Sequence, residues 1–270
     1  MKAIHYIYTA MLLLLLASCN NTDIVPGNDA SAPGRFMLSL LTEEVTTEDI
    51  TRAGSFNPDV SKFMVSITDA KGLELVSGME YGTMEDHDKV LPAAKDYLIE
   101  VANCTPQEAV SANEGWGTIR FMASQTFDIV SEETTPLVLE CTMANAGLTV
   151  IFDESFTTKF PTYAATIQDT RNLVFKSTTA DKVAYYNINQ DQENISLRLT
   201  GSAGGWNDRI DKTHHITLTK GKITRLRVKF NDGSNTDSDV DIDIDTDTSM
   251  GETDDEVTVG LKVERVAISV

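Results

Sequence analysis

Apolar residues recur at every second position along most of this chain, and that period leaves few folds open. Phe63, Val65 and Ile67 share one face while Met64, Ser66 and Thr68 share the other. Tyr97, Ile99 and Val101 repeat the pattern. Leu148, Val150 and Phe152 do so in the second half, followed by Ile195, Leu197 and Leu199, then Leu226, Val228 and Phe230. Clean alternation puts one face against a core and the other in water, which predicts an all-β antiparallel sandwich. Phe127–Ile129 and Leu137–Leu139, around the polar stretch Ser131–Thr135, read as a hairpin. One helix has good punctuation: Thr105-Pro106-Gln107-Glu108 fits a capping box with proline at the first helical position, and Gly115 can close it.

The alternating pattern appears twice. A strand ending at Asp69 has a counterpart ending at Asp169, and Trp116 among glycines has a counterpart in Trp206, each followed by a hairpin. The offsets are 100 and 90 residues. Two sandwich domains of similar plan are expected, spanning 34–145 and 146–270, the second including an acidic segment 231–256 and a terminal strand 257–270.

The N-terminus supplies an address. An apolar run from Ala10 to Leu16 leads into Leu16-Ala17-Ser18-Cys19. The run is far shorter than the roughly 20 residues of a membrane-spanning helix. It resembles a bacterial lipoprotein signal peptide, residues 1–18, with cleavage before Cys19. That resemblance implies an acylated Cys19, a membrane partner through the lipid, and a place in the outer membrane or at the cell surface. Several acyl chains anchor firmly where one holds marginally. Residues 19–33, rich in Asn, Asp, Ser, Pro and Gly, read as a flexible tether.

Net charge narrows the partners. The chain carries 41 acids and 22 bases, a formal charge of −19. Such a surface repels nucleic acid, and no cluster of Lys and Arg argues otherwise. After Cys19, only Cys104 and Cys141 remain. An oxidising compartment would let them pair, and a buried free thiol is equally ordinary in such strand-like context.

Several segments together resemble a known group. Gly34–Leu40 is similar to an opening strand of the form G-x-L-x-L. Asp59–Asp69 resembles a second strand motif ending in I-x-D. Leu91-Pro92 followed by Tyr97–Val101 resembles a third, with Ala94 and Lys95 standing where a glycine is usual, and Leu139–Asn145 closes the unit. In this order behind a lipobox, over about residues 34–230, they look like a Bacteroidetes family of lipoproteins with a domain of unknown function, related in plan to the fimbrillins. The resemblance implies two transthyretin-like antiparallel β-sandwich domains in tandem, acting in adhesion or pilus assembly by β-strand exchange. The partners so implied are fimbrial subunits or further copies of the chain, or a host or glycan receptor. Such subunits are cut after an arginine near the first strand, and a neighbour's strand fills the groove. Arg52 is the candidate and Arg35 the second; Arg52 is equally an ordinary basic residue of a polar loop.

The C-terminus fits a donor in pattern, and equally a last strand of its own domain. Val257, Val259, Leu261 and Val263 alternate with Thr258, Gly260, Lys262 and Glu264. Before them, Asp237, Asp239, Asp241, Asp243, Asp245 and Asp247 occupy every second position. In an extended chain these six carboxylates lie about 7 Å apart, costing roughly 0.6 kcal/mol per neighbouring pair in water. Burying Val240, Ile242 and Ile244 would offset that, so an edge strand and a solvated spacer are both open. Asp245, Asp247 and Glu256 approximate the spacing of an EF-hand calcium loop, but Gly251 falls one position late and no helices flank it.

Signals for catalysis are poor. His214-His215 adjoins a strand without a metal-ligand motif, and no nucleophile elbow, zinc or phosphate-loop motif is present. The expectation is a non-enzyme without cofactor or resident metal. The alternative to strand exchange is a surface glycan-binding lipoprotein using Trp116 and Trp206 as sugar platforms; either indole could instead fold onto a sandwich edge.

Overall fold

The alternating segments fold as strands and close over two cores. The computed structural model describes residues 32–42, 58–204, 209–231 and 239–247. Cys19, Arg52, Trp206, Glu256 and the terminal segment from Val257 therefore lie outside the described residues. In the first half the strands are β1 (Gly34–Thr42), β2 (Met64–Thr68), β3 (Glu74–Glu80), β4 (Val90–Leu91), β5 (Ala94–Ala102), β6 (Phe121–Ile129) and β7 (Thr134–Met143). In the second they are β8 (Ala146–Phe152), β9 (Thr162–Ile167), β10 (Val174–Phe175), β11 (Ala184–Tyr186), β12 (Gln192–Ser202), β13 (Arg209–Thr219), β14 (Ile223–Asn231) and β15 (Asp239–Asp247). Among the described residues, two short α-helices, α1 (Pro106–Ser111) and α2 (Glu154–Lys159), sit in connections. The chain is all-β and sandwich-like, as its period requires.

The two halves repeat one strand plan. The first forms a sheet ordered β3-β2-β5-β6-β7-β1-β4, and the second forms two sheets, β10-β9-β12-β13 and β11-β8-β14-β15. Matching β1–β7 to β8–β14 in order reproduces every neighbour except the β6–β7 contact, and β15 is an addition. The turn chemistry repeats as well. Asp69 Oδ1 accepts from the amides of Lys71 and Leu73, and Asp169 Oδ1 from those of Arg171 and Asn172. Each aspartate thereby organises the turn after the second strand of its half.

Two pairings depart from the antiparallel expectation. β1 runs parallel to β7, and β8 runs parallel to β14. In each half the first strand docks beside the seventh, and those two are brought together by the whole unit between them, so no short turn dictates their sense. The expected β6–β7 hairpin is also looser than its turn suggests. Its strands pair only at Phe121–Met143 and Met122–Thr142, because β6 is held by β5 in one layer and β7 by β1 in the other.

The buried residues fall into two clusters, which change over between Met143 and Ala146. The first joins Phe36, Leu38 and Leu40 of β1 to inward residues of β2, β5, β6 and β7. Phe127 bridges its layers, with ring centroids 5.9 Å from Phe36 and 5.6 Å from Tyr97. Two residues cross over: Trp116 belongs to the second core and Ile223 of β14 to the first. Fully buried Asn145 ties the halves together. Its Oδ1 accepts from the Arg120 amide, its Nδ2 donates to the Thr118 carbonyl, and its own carbonyl accepts from Gly221. A buried residue with two side-chain bonds and one backbone bond satisfied fixes a single arrangement, since leaving any of them unmade is costly.

The predicted capping box forms at α1. The Thr105 side chain accepts from the Glu108 amide, and the Glu108 carboxylate accepts from the Thr105 amide at 2.8 Å. These bonds hold the Glu108 carboxyl below the usual carboxylate range. The helix stops after six residues, and Gly115, at φ +88°, closes the 3₁₀ turn that follows.

Candidate functional site

The site is the first strand and the groove it fills. β1 alternates strictly: Phe36, Leu38 and Leu40 point into the first core at 2%, 6% and 9% exposure. Fully burying such side chains stabilises by about 1.5–3 kcal/mol each. A chain without β1 would therefore open a strongly apolar trough between β7 and the opposite layer.

The backbone of β1 is held unevenly. On one side it pairs with β7 from Arg35–Thr134 to Thr42–Cys141. On the other, β4 covers only Gly34 and Arg35, through Leu91 and Val90. Beyond that point the Tyr81 hydroxyl donates to the Leu38 carbonyl at 3.0 Å. The start of the strand is pinned more closely. A Cβ on Gly34 would lie 2.1 Å from the Val130 carbonyl oxygen, so this close approach excludes a side chain. The Arg35 guanidinium stands 3.4 Å from the Asp86 carboxylate, an exposed pair of small energetic weight.

The outer face of the same strand is unusually apolar. Met37, Leu41 and Val138 of adjacent β7 are 58%, 55% and 61% exposed. Alternation places Met37 and Leu41 on that face, but only the parallel register brings Val138 beside them, which local sequence could not reveal.

Of the two candidate arginines, Arg35 lies inside β1. A cut there would leave Phe36–Thr42 joined to the rest of the domain. Arg52 follows Thr42 by ten residues of sequence, so a cut after it would separate β1 from the domain it fills.

The structure also places the two later cysteines, Trp116 and two of the aspartates. Cys104 and Cys141 are both free thiols. Cys141 points into the first core from β7, while Cys104 sits in the connection after β5, its thiol 3.5 Å from Asn103 Oδ1. Burial pushes the Cys141 thiol up to about 11. Trp116 is not an open platform. It is 8% exposed, its ring meets the edge of Phe175 at 5.0 Å, and Lys182 Nζ lies 5.1 Å from its centroid. The indole is thus spent on the second core, with no open face for a sugar ring. Gly117, at φ +86°, lets the chain pass tightly beside it: a Cβ there would meet the Ala109 carbonyl at 2.7 Å.

Asp245 and Asp247 stand in β15, a fully paired strand, not in a cation-wrapping loop. An EF-hand loop must curl so that alternate residues converge on one centre, and an extended ladder cannot do so. Between the two alternatives open for this acidic stretch, the strand is the one found. Its register sets Asp241, Asp243 and Asp245 opposite Lys229, Arg227 and Arg225 of β14. Among the described residues, no helix is long and apolar enough to cross a membrane.

These features define an all-β protein of two halves with one strand plan, whose first strand completes the first core from the edge. The chain belongs to the family of the Domain of unknown function (DUF4493), whose model matches residues 32–261. This bears out the family resemblance carried by the strand motifs. Among solved structures it is similar to a fimbrial assembly protein from Parabacteroides distasonis ATCC 8503, at 10% identity and TM-score 0.41, covering 80% of this chain and 99% of that one. It is also similar to the fimbrial anchor protein Mfa2 from Porphyromonas gingivalis, at 10% identity and TM-score 0.43, covering 78% and 97%. No curated protein matches the sequence.

Proposed function

We propose that this chain is a cell-surface lipoprotein of fimbrillin-like plan, without catalytic activity, that acts in adhesion or pilus assembly by β-strand exchange. Its two halves are read as tandem transthyretin-like sandwiches. Cys19 carries the lipid, and a cut after Arg52 separates the lipid-bearing segment with β1 from the rest. The emptied trough then takes a strand from a neighbouring copy or fimbrial subunit, with Val257–Val263 as the donor by its alternation. The observation that carries the reading is β1 itself, which supplies three buried side chains to a core yet is joined along most of its length to one strand only.

A reversible lock tests this. Ser39 and Val138 are register partners on the outer face, so Ser39→Cys with Val138→Cys would tie β1 to β7. Mature protein should migrate as a ladder in unboiled gels and collapse on boiling. Arg52→Ala, deletion of Val257–Val270, or the oxidised lock should each abolish the ladder, and reductant should restore it only for the lock. A single monomer band that none of these changes affects would overturn the proposal.

A further inference from the structure

A second site lies on the opposite layer of the first half, away from β1. The outer face of β2, β5 and β6 carries a cavity of about 450 Å³ beside the start of α1. Three of its lining residues bear sulfur: Met64, Met122 and Cys104. Register brings the methionines together. Met64 of β2 is opposite Ala102 of β5, and Ala102 is opposite Met122 of β6, so the three form one row across the sheet. Strands lie about 4.8 Å apart, which sets the two methionine backbones roughly 10 Å from each other with only a methyl group between. Two unbranched, three-rotor thioethers can close on that gap. Cys104 follows Ala102 by two residues, past the middle of the row on the side of α1.

The thiol's backbone is fixed before any ligand arrives. Asn103 Nδ2 donates to the Ile119 carbonyl at 3.0 Å, and its Oδ1 accepts from the Phe121 amide at 2.8 Å. Arg120 Nε donates to the Cys104 carbonyl at 3.1 Å, and Thr105 opens the capping box of α1. Packing alone does not account for this grouping: Met64 is 39% exposed, and Met122 and Cys104 are only partly buried.

We propose that Cys104, Met64 and Met122 form a binding site for a soft monovalent metal ion of the Cu(I) class. Thiolate and thioether sulfur select such ions over the hard divalent cations that carboxylates and carbonyls prefer. The cation would sit against the sheet in the space left by Ala102, with Cys104 as the anionic ligand and the methionines completing a trigonal sulfur set. The rest of the wall carries charge of both signs, Glu100 and Glu108 with Lys62 and Arg120, but the row itself is sulfur and methyl only.

The test uses the reduced full chain carrying Cys19→Ser, so that Cys104 and Cys141 are the thiols present. Cu(I) is titrated against a colorimetric Cu(I) chelator, and the copper environment is read by X-ray absorption. One Cu(I) per chain with a sulfur-only shell is expected. Cys104→Ser should release it, and Cys141→Ala should not. Met64→Leu and Met122→Leu keep the apolar bulk, and each should weaken binding at least about tenfold, on the scale of altered metal-site surroundings. Failure to hold Cu(I) against the chelator would overturn the site. So would full affinity in the double leucine variant, which would leave a thiol acting alone. Circular dichroism of each variant separates loss of binding from loss of fold.

Discussion

Tyr81 donates its hydroxyl hydrogen to the carbonyl of Leu38 at 3.0 Å, at a point on β1 where pairing with β4 has already stopped. A side chain there takes the place of a neighbouring strand. Tyr81→Phe keeps the ring against the first core and removes this bond alone. The expected cost is about 0.5–1.5 kcal/mol, or roughly two- to tenfold faster amide exchange in β1. Exchange in β12, in the other half, should not change. Equal rates in β1 for both proteins would mean that the hydroxyl does not retain the strand.

Cys141 and Cys104 should part company in their reactivity. Cys141 is fully buried and its thiol is pushed up to about 11 by desolvation, so almost no thiolate forms near neutral pH. Burial raises the Cys104 thiol as well, with Arg120 opposing the shift, but Cys104 is partly exposed and so within reach of reagent. Maleimide at pH 7.5 should label Cys104 in the native chain and reach Cys141 only in urea, as read by peptide mass spectrometry. Native labelling of Cys141 would mean that the first core opens readily, as loss of β1 would require.

His214 predicts a weakening on mild acidification. It points inward from β13 at 8% exposure, and burial lowers its pKa from the ordinary 6.5, with Lys212 and His215 pushing the same way. Below 6.5 the unfolded chain therefore binds the proton more readily than the folded one. The stability this group contributes is complete above 6.5 and is lost as pH falls toward the folded value. The carboxyls of Asp153 and Asp211 are held low and titrate further down, outside this window. Urea midpoints should fall between pH 7.5 and 5.5, and His214→Leu should flatten that slope.

Strand character was legible because side-chain alternation is local. So were the capping box at Thr105 and the turns at Asp69 and Asp169, whose carboxylates act within four residues of themselves. Strand sense was not. Nothing in Phe36–Leu40 or Leu137–Cys141 announces that they run parallel, because that pairing is made across nearly a hundred residues. The place of Trp116 stayed open for a related reason. Glycines on either side are compatible with an exposed tip, but Gly117 lets the chain pass Tyr185 and Ala109 while the indole enters the second core. The outer sulfur row was invisible for the same cause, since Met64 and Met122 fall in one row only through the register of a third strand.

The β14–β15 ladder makes its own prediction about charge. Arg227 is exposed and stands opposite Asp243, while Arg225 is 8% exposed and stands opposite Asp245. Arg227→Asp sets like charges across the ladder and should cost about 0.2–1 kcal/mol, an effect that shrinks in 1 M salt. Adding Asp243→Arg reverses both partners and should recover most of the loss, a coupling that urea midpoints of the four proteins would isolate. Asp245→Asn acts on a guanidinium with little access to water. Salt can screen that guanidinium less, and removing the register-matched anion should cost more than the exposed swap. If the two positions respond alike, the acidic strand is held by its backbone and apolar residues, and the alternating aspartates serve only to keep it soluble.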